Sequence, residues 1–387
     1  MPKRTLLTCS FIMLALLVGL ACGGGGTETT SDKSGSPSAG SSATPVDDPT
    51  SNTSAGRIAF VASSPEALTL YTVREDGSDL QEVAELYPTR RPGKGSVWLA
   101  WSPDGETLAA APLQRGRGTV SLIRSDGSVS EVGKGGEEVG GLEWAPDGSR
   151  IVYTALRDGA LGIYVAEVGG EEVLLANLVG DSVAGRVDWS PDGSRIAYRS
   201  DDAPSGGGIY SVPSAGGSPA LLVPHGGKLE RVGEPAWSPD GTQLAFIAGG
   251  FNGGTYVANA DGSNARRLTT KLGFTGPKWS PDGKTLVWCE LAGVAFDIFS
   301  IRADGSDLRR LDDNVGFDCL PVWSPDGSRI AYASESLAKD CVSSLGKHTG
   351  SNLSVFNADG SAIKCLVGDL GILLNGGIVA LAWSPAR

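Results

Sequence analysis

Histidine is almost missing from this chain: His225 and His348 are the only two in 387 residues. Neither sits in a motif, so no pair offers zinc ligands at helical spacing. His225 lies in the turn-like stretch Val223-Pro224-His225-Gly226-Gly227 and reads as an exposed loop residue. No Gly-x-Ser-x-Gly elbow lifts a serine onto a strained turn. Cys-x-x-Cys pairs are absent as well, which argues against a thiolate metal centre. Glu75-Asp76-Gly77-Ser78-Asp79 lacks the alternating ligands and closing glutamate of a calcium loop, so it reads as a hairpin. No metal and no other cofactor is expected. A basic stripe is also lacking. The net charge is −12, with 32 basic against 44 acidic residues, which excludes phosphate neutralisation and nucleic-acid binding. Even that acidity is mostly turn chemistry: eleven aspartates occupy Pro-Asp-Gly or Asp-Gly turns, and the remaining acids balance the bases.

What the chain has in abundance is one string. Trp-Ser-Pro-Asp-Gly, or a near copy, starts at Trp101, Trp144, Trp189, Trp237, Trp279 and Trp323, and returns truncated at Trp383. The intervals are 43, 45, 48, 42, 44 and 60 residues, the period of a four-stranded propeller blade or just beyond it. In each turn proline presets φ and glycine accepts a positive φ. A second hairpin signal recurs around Asp76, Asp126, Asp261, Asp304 and Asp359, between the third and fourth strands. The tryptophan ends the first strand and is large enough to fill the space between neighbouring sheets. A single sheet of this size cannot bury both faces, so the blades must stack in a ring.

The two ends complement one another. Arg57-Ile58-Ala59-Phe60-Val61 begins a blade that lacks a tryptophan strand, and Ile378 to Ser384 is a first strand with nothing after it. The expected fold is therefore all-β: a seven-bladed β-propeller over residues 56–387, closed by the C-terminal strand completing the N-terminal blade. Closure leaves no open edge there for another chain to pair with.

These Trp-x-Pro-Asp-Gly copies resemble the WD40-like (PD40) propeller repeat of TolB-type proteins, which also forms the propeller of prolyl-oligopeptidase and dipeptidyl-peptidase IV-type enzymes. The resemblance covers residues 57 to 387. The chain departs from both families. A TolB propeller has six blades behind a small α/β domain, and the peptidases add an α/β-hydrolase domain that has no counterpart here.

Residues 1–22 read as a signal peptide. Lys3 and Arg4 precede an apolar run from Leu6 to Ala21, short for a membrane span. Leu20-Ala21-Cys22 resembles a bacterial lipoprotein box, which implies lipidation of Cys22 and an exported protein held at the membrane by lipid alone. Residues 23–55 are rich in Gly, Ser, Thr and Pro and read as a disordered tether with a reach of roughly 30 Å. Cys289, Cys319, Cys341 and Cys365 fall in the last two blades and favour two disulfides. The expected pairing is Cys289–Cys319 and Cys341–Cys365.

Binding concentrates where propeller loops enter the first strands. Positions three and five residues before each tryptophan vary between blades, which singles out Trp98, Arg186, Glu234, Phe274 and Asp318 as contact candidates. The insertion from Ser336 to Gly350, which holds His348, is another. The expected function is non-enzymatic: a monomeric scaffolding lipoprotein of the cell envelope, facing periplasm or exterior and contacting a protein, peptide or glycan. The alternative is a propeller enzyme of the lactonase or cyclotransferase sort, with a carboxylate or metal site at the central channel.

Overall fold

The computed structural model describes residues 56–385 except 65–66, 89–95, 114–117, 179–184, 204–205, 227–228, 230, 250–252, 272, 294, 313–316, 336–350 and 369–376. The leader, Cys22, the tether, Cys341 and His348 lie outside the described residues. The described strands form seven antiparallel sheets of four. Blade 1 pairs Ile378–Trp383 with Arg57–Ser63, then Ala67–Arg74 and Gln81–Pro88. Blades 2 to 6 begin at Ser96–Trp101, Glu138–Trp144, Val187–Trp189, Arg231–Trp237 and Lys278–Trp279, and blade 7 at Asp318–Trp323. These first strands touch in cyclic order, the seventh meeting that of blade 1, so the ring is closed.

The repeated turn explains the repeated sequence. In blade 7, Gly327 N–H donates to Ser324 O at 2.9 Å with Gly327 at φ 70°. Ser324 Oγ–H donates to Asp326 Oδ1 at 2.6 Å and accepts Arg329 N–H at 2.9 Å. The carboxylate is thus a structural acceptor, and the Ser324 and Ser328 hydrogen bonds hold its pKa down at about 2. Asp240 and Asp192 are lowered the same way. This accounts for the turn aspartates without any ligand.

Four of the seven repeat tryptophans, Trp101, Trp144, Trp279 and Trp323, hydrogen-bond back to the preceding blade. The indole Nε1–H of Trp144 donates to Ala100 O at 3.0 Å, Trp279 to Ala236 O at 3.0 Å and Trp323 to Lys278 O at 3.2 Å. There is accordingly no single core. Apolar clusters lie in the seams between neighbouring blades, as where Val120 and Leu122 of blade 2 meet Ile151 and Tyr153 of blade 3. The closing seam is built alike: Ile58, Phe60 and Trp383 of blade 1 pack on Ala331, Leu353 and Val355 of blade 7. Within blade 1, Ile58 pairs with Trp383 and Val61 with Ala380. Ser384 N–H donates to Arg57 O at 2.9 Å.

Candidate functional site at the channel face

A first strand has a neighbour on one side only, so its other edge of N–H and C=O groups faces the axis and needs partners. Two blades supply them with carboxylates. Glu143 Oε2 accepts the N–H of Trp189 in the next blade at 2.9 Å, and Asp188 Oδ2 accepts that of Trp237 at 2.6 Å. Arg186 lies 3.4 Å from Asp188. Blade 5 adds Glu234 and blade 6 adds Lys278. Four successive blades therefore bring three carboxylates, a guanidinium and an ammonium within electrostatic reach of one another.

Desolvation dominates their ionisation. Burial, then the negative charge of Asp188, pushes Glu143 up to about 8. Burial raises Asp188 against the pull of Arg186, and raises Glu234 against Arg186 and Lys278. Lys278 moves the other way, down to about 8, through burial and then the charge of Arg186. Glu143 and Lys278, both displaced to about 8, are groups that can exchange protons near neutrality.

Glu234 carries a second peculiarity. It sits on a bulge in the first strand, where the register shifts between Gly233 and Ala236, at φ 52°. Gly141 in blade 3 and Leu320 in blade 7 hold the same place at φ 54° and 59°. A glutamate in left-handed backbone costs about 1–3 kcal/mol. A Cβ on Gly276 of the next blade would collide with the Glu234 side chain, so that glycine makes the room.

The other side of the ring differs. Blades 7, 1 and 2 place Leu320, Val322, Ala380, Ala382, Trp98 and Ala100 at the corresponding positions. One arc of the first strands is charged and the other apolar. An aromatic patch is exposed where the chain enters the first strands of blades 6 and 7. Phe274 and Phe317 are 57% and 48% accessible, Leu291 52%, and Phe296 lies between the two phenylalanines with ring centroids 4.5 and 5.9 Å away. Beneath it, Cys289 of blade 6 is bridged to Cys319 of blade 7, Cα atoms 5.3 Å apart.

The residues chosen from the sequence thus separate. Arg186 and Glu234 meet in the charged arc, and Phe274 joins the exposed patch. Trp98 is half-buried against the seam of blades 2 and 3. Asp318 is corrected: it is wholly buried, as are Asp297 and Asp312, in the seam of blades 6 and 7. Burial, with Asp318 and Asp297 nearby, pushes Asp312 up to about 8, and Arg310 neutralises Asp297 at 2.8 Å. These aspartates are seam residues and not surface contacts. His225 is also corrected, from exposed to half-buried, its Nε2 enclosed and its pKa lowered by that burial. The Cys289–Cys319 pairing is as expected; Cys365 is also disulfide-bonded. Among the described residues no group of three or more His, Cys, Asp or Glu is placed to hold a metal ion.

Glu143, Asp188 and Lys278 were missed. Their signal was the residue immediately before each tryptophan, which is Ala or Val in the other four blades and charged in these three.

A closed ring of seven tryptophan-keyed, four-stranded blades defines a β-propeller. Residues 235–351 match the family model of the TolB beta propeller domain, so the chain carries the TolB-type propeller repeat. A TolB homologue of Chlorobium luteolum is 32% identical over 148 residues, covering 37% of this chain and 32% of that protein. An uncharacterised peptidase of Bacillus subtilis is 37% identical over 114 residues, covering 26% and 17%. The chain spans only 17% to 42% of the length of the first curated relatives it matches. Among solved structures, TolB from Acinetobacter baumannii aligns with a TM-score of 0.50 at 16% identity, covering 85% of this chain and 83% of that one. An oligogalacturonate lyase in complex with manganese aligns at 0.53 and 16%, covering 82% and 86%. At such identities the likeness is one of fold.

Proposed function

We propose that this chain is a non-enzymatic binding module of the bacterial cell envelope, whose channel face engages a polypeptide partner. The observation that carries the reading is that one ring holds both a charged arc of first strands (Glu143, Arg186, Asp188, Glu234, Lys278) and the exposed phenylalanines 274 and 317, which stand where the chain enters blades 6 and 7. Exposed rigid aromatic side chains are anchors that protein partners grip. The TolB homologues support the envelope setting. In this reading the leader is cleaved just before Cys22, Cys22 becomes the lipidated first residue, and residues 23–55 hold the propeller clear of the membrane.

The test is a pull-down from detergent-solubilised envelope with the full chain, Phe274→Ala/Phe317→Ala, and Arg186→Ala. Recovery of one partner by the wild type, reduced tenfold or more by both variants, is expected. Equal recovery by all three removes this face from consideration.

A second reading has its own support. Glu143 and Lys278, displaced to about 8 from opposite directions, form an acid and an amine suited to proton transfer near neutrality. Relatives include a protein named as a peptidase. Under this reading the chain is a hydrolase-, lactonase- or cyclotransferase-like enzyme working at the channel. Turnover of a lactone or peptide panel, abolished by Glu143→Gln with the fold intact, would establish it. Absence of turnover with and without added divalent metal leaves the binding reading.

A further inference from the structure

The internal repeat exposes a second site, at the end of the blades where the Asp-Gly hairpins lie. Four second strands begin with arginine: Arg57, Arg150, Arg195 and Arg329, each before an isoleucine. In two seams this arginine lies over the tryptophan of the next blade, Arg150 over Trp189 at 5.1 Å and Arg329 over Trp383 at 5.5 Å. Arg57 does otherwise. Its guanidinium turns back into its own blade, donating to Thr72 Oγ1 at 3.2 Å and Asp79 O at 3.3 Å and pairing with the Asp79 carboxylate. Among the described residues no cation lies over Trp101, and a cleft of about 290 Å³ opens there between blades 1 and 2.

The neighbouring hairpin leaves the cleft open. At blade 5 a Cβ on the hairpin Gly262 would run into the Leu222 carbonyl of blade 4, and at blade 7 Gly360 is pressed on Leu311 in the same way. Gly127, the equivalent in blade 2, has nothing within 4 Å. Arg195 also turns into its own blade, onto Ser211, and a cleft lies beside Trp237. That cleft measures about 320 Å³, but Trp237 is only 8% accessible. Trp101 is half-buried and more open.

We propose that the cleft between blades 1 and 2 binds an organic cation, a guanidinium or alkylammonium group, seated on the Trp101 indole. The repeat itself shows the fit, because two other seams place a guanidinium at this position on the same ring. Leu70, Leu108 and Ile123 wall the space beside the indole and suit the alkyl stem of such a group. Glu82 and Asp126 stand on the lining, with Arg124 as the one opposing charge left after Asp79 neutralises Arg57. Asp126 is held in place by the Ser128 N–H at 2.8 Å. An indole face with carboxylates at its edge attracts cations, the more so where water is partly excluded. The site is independent of the partner reading, since its lining shares no residue with the charged arc or the exposed phenylalanines.

The probe is ethylguanidinium, titrated into the full chain at low ionic strength while the Trp101 indole Nε1–H resonance, assigned with Trp101→Phe, is followed. A saturable shift is expected, with ethylurea, uncharged and of similar shape, leaving the resonance unmoved. Glu82→Gln/Asp126→Asn, both at exposed positions, should weaken binding roughly five- to tenfold. A Gly-Arg-Gly peptide that binds more tightly than ethylguanidinium assigns the cation to a partner's side chain; equal binding assigns it to a free small molecule. No saturable shift with either cation, an equal response to ethylurea, or unchanged affinity in the double variant overturns the proposal.

Discussion

Removing the Trp383 indole should loosen the whole ring. Blade 1 is the one blade whose strands come from both ends of the chain, so its first strand is joined to the rest of its own blade by non-covalent contacts alone. Trp383 is 8% accessible and packs on Ile58, Phe60 and blade 7. A tryptophan buries on the order of 200 Å², about 5 kcal/mol at ~25 cal/mol per Å². Loss of the Arg329 guanidinium over the ring adds about 0.5–1 kcal/mol. The alanine left behind recovers part of this, so Trp383→Ala should cost about 4 kcal/mol, within the range for large-to-small core changes. Arg329 also pairs with Glu75 of blade 1 at 2.7 Å, and Lys364 donates to Asp76 O at 2.7 Å, so blade 7 keeps some grip on its neighbour. The assay is urea unfolding, with hydrogen exchange at Arg57–Ser63. In the variant these amides should exchange ahead of those in blades 3 to 5. A loss under about 1 kcal/mol, or uniform exchange around the ring, would show that the seal is not where the strength lies.

Further expectations concern the channel wall and the disulfide. Glu143 binds its proton near pH 8 when folded but near 4.5 when unfolded, so between those values the folded state holds the extra proton and stability falls as pH rises. Glu143→Gln should flatten that fall, by on the order of 2 kcal/mol at pH 8 relative to pH 5; thermal unfolding across the range checks it, and parallel wild-type and variant profiles would refute it. Above pH 8 the lowered pKa of Lys278 works in the opposite sense and stability recovers toward 10.5. Replacing Cys289 and Cys319 by serine removes a crosslink spanning 30 residues and should cost about 3–4 kcal/mol, read as a lower urea midpoint without change of fold by circular dichroism.

Much of the fold was legible because its determinants are local. Proline, aspartate and glycine at fixed offsets set the turn that the structure shows at Ser324–Gly327, and the alternation after each tryptophan sets the second strand. The complementary ends at Arg57 and Trp383 announced the closing blade. The site was legible only in pieces. Arg186 and Glu234 were found because their positions vary from blade to blade. Asp318 was misjudged because a residue five before the tryptophan can point into a seam as readily as into solvent. Glu143 and Lys278, immediately before the tryptophan, were passed over as strand residues.

By itself, then, the sequence determined the number of blades, the place of the seven repeat tryptophans and the order of strands. Those follow from short-range turn chemistry and from spacing along the chain. Only the tertiary structure decided that Glu143, Asp188, Glu234 and Lys278 share one arc, that Asp318 is buried, and that Arg57 leaves Trp101 uncovered where Arg150 covers Trp189. The physical reason is that each of these depends on how one blade lies against the next. That relation is set by ring closure and by side-chain pairing across seams, between residues tens of positions apart.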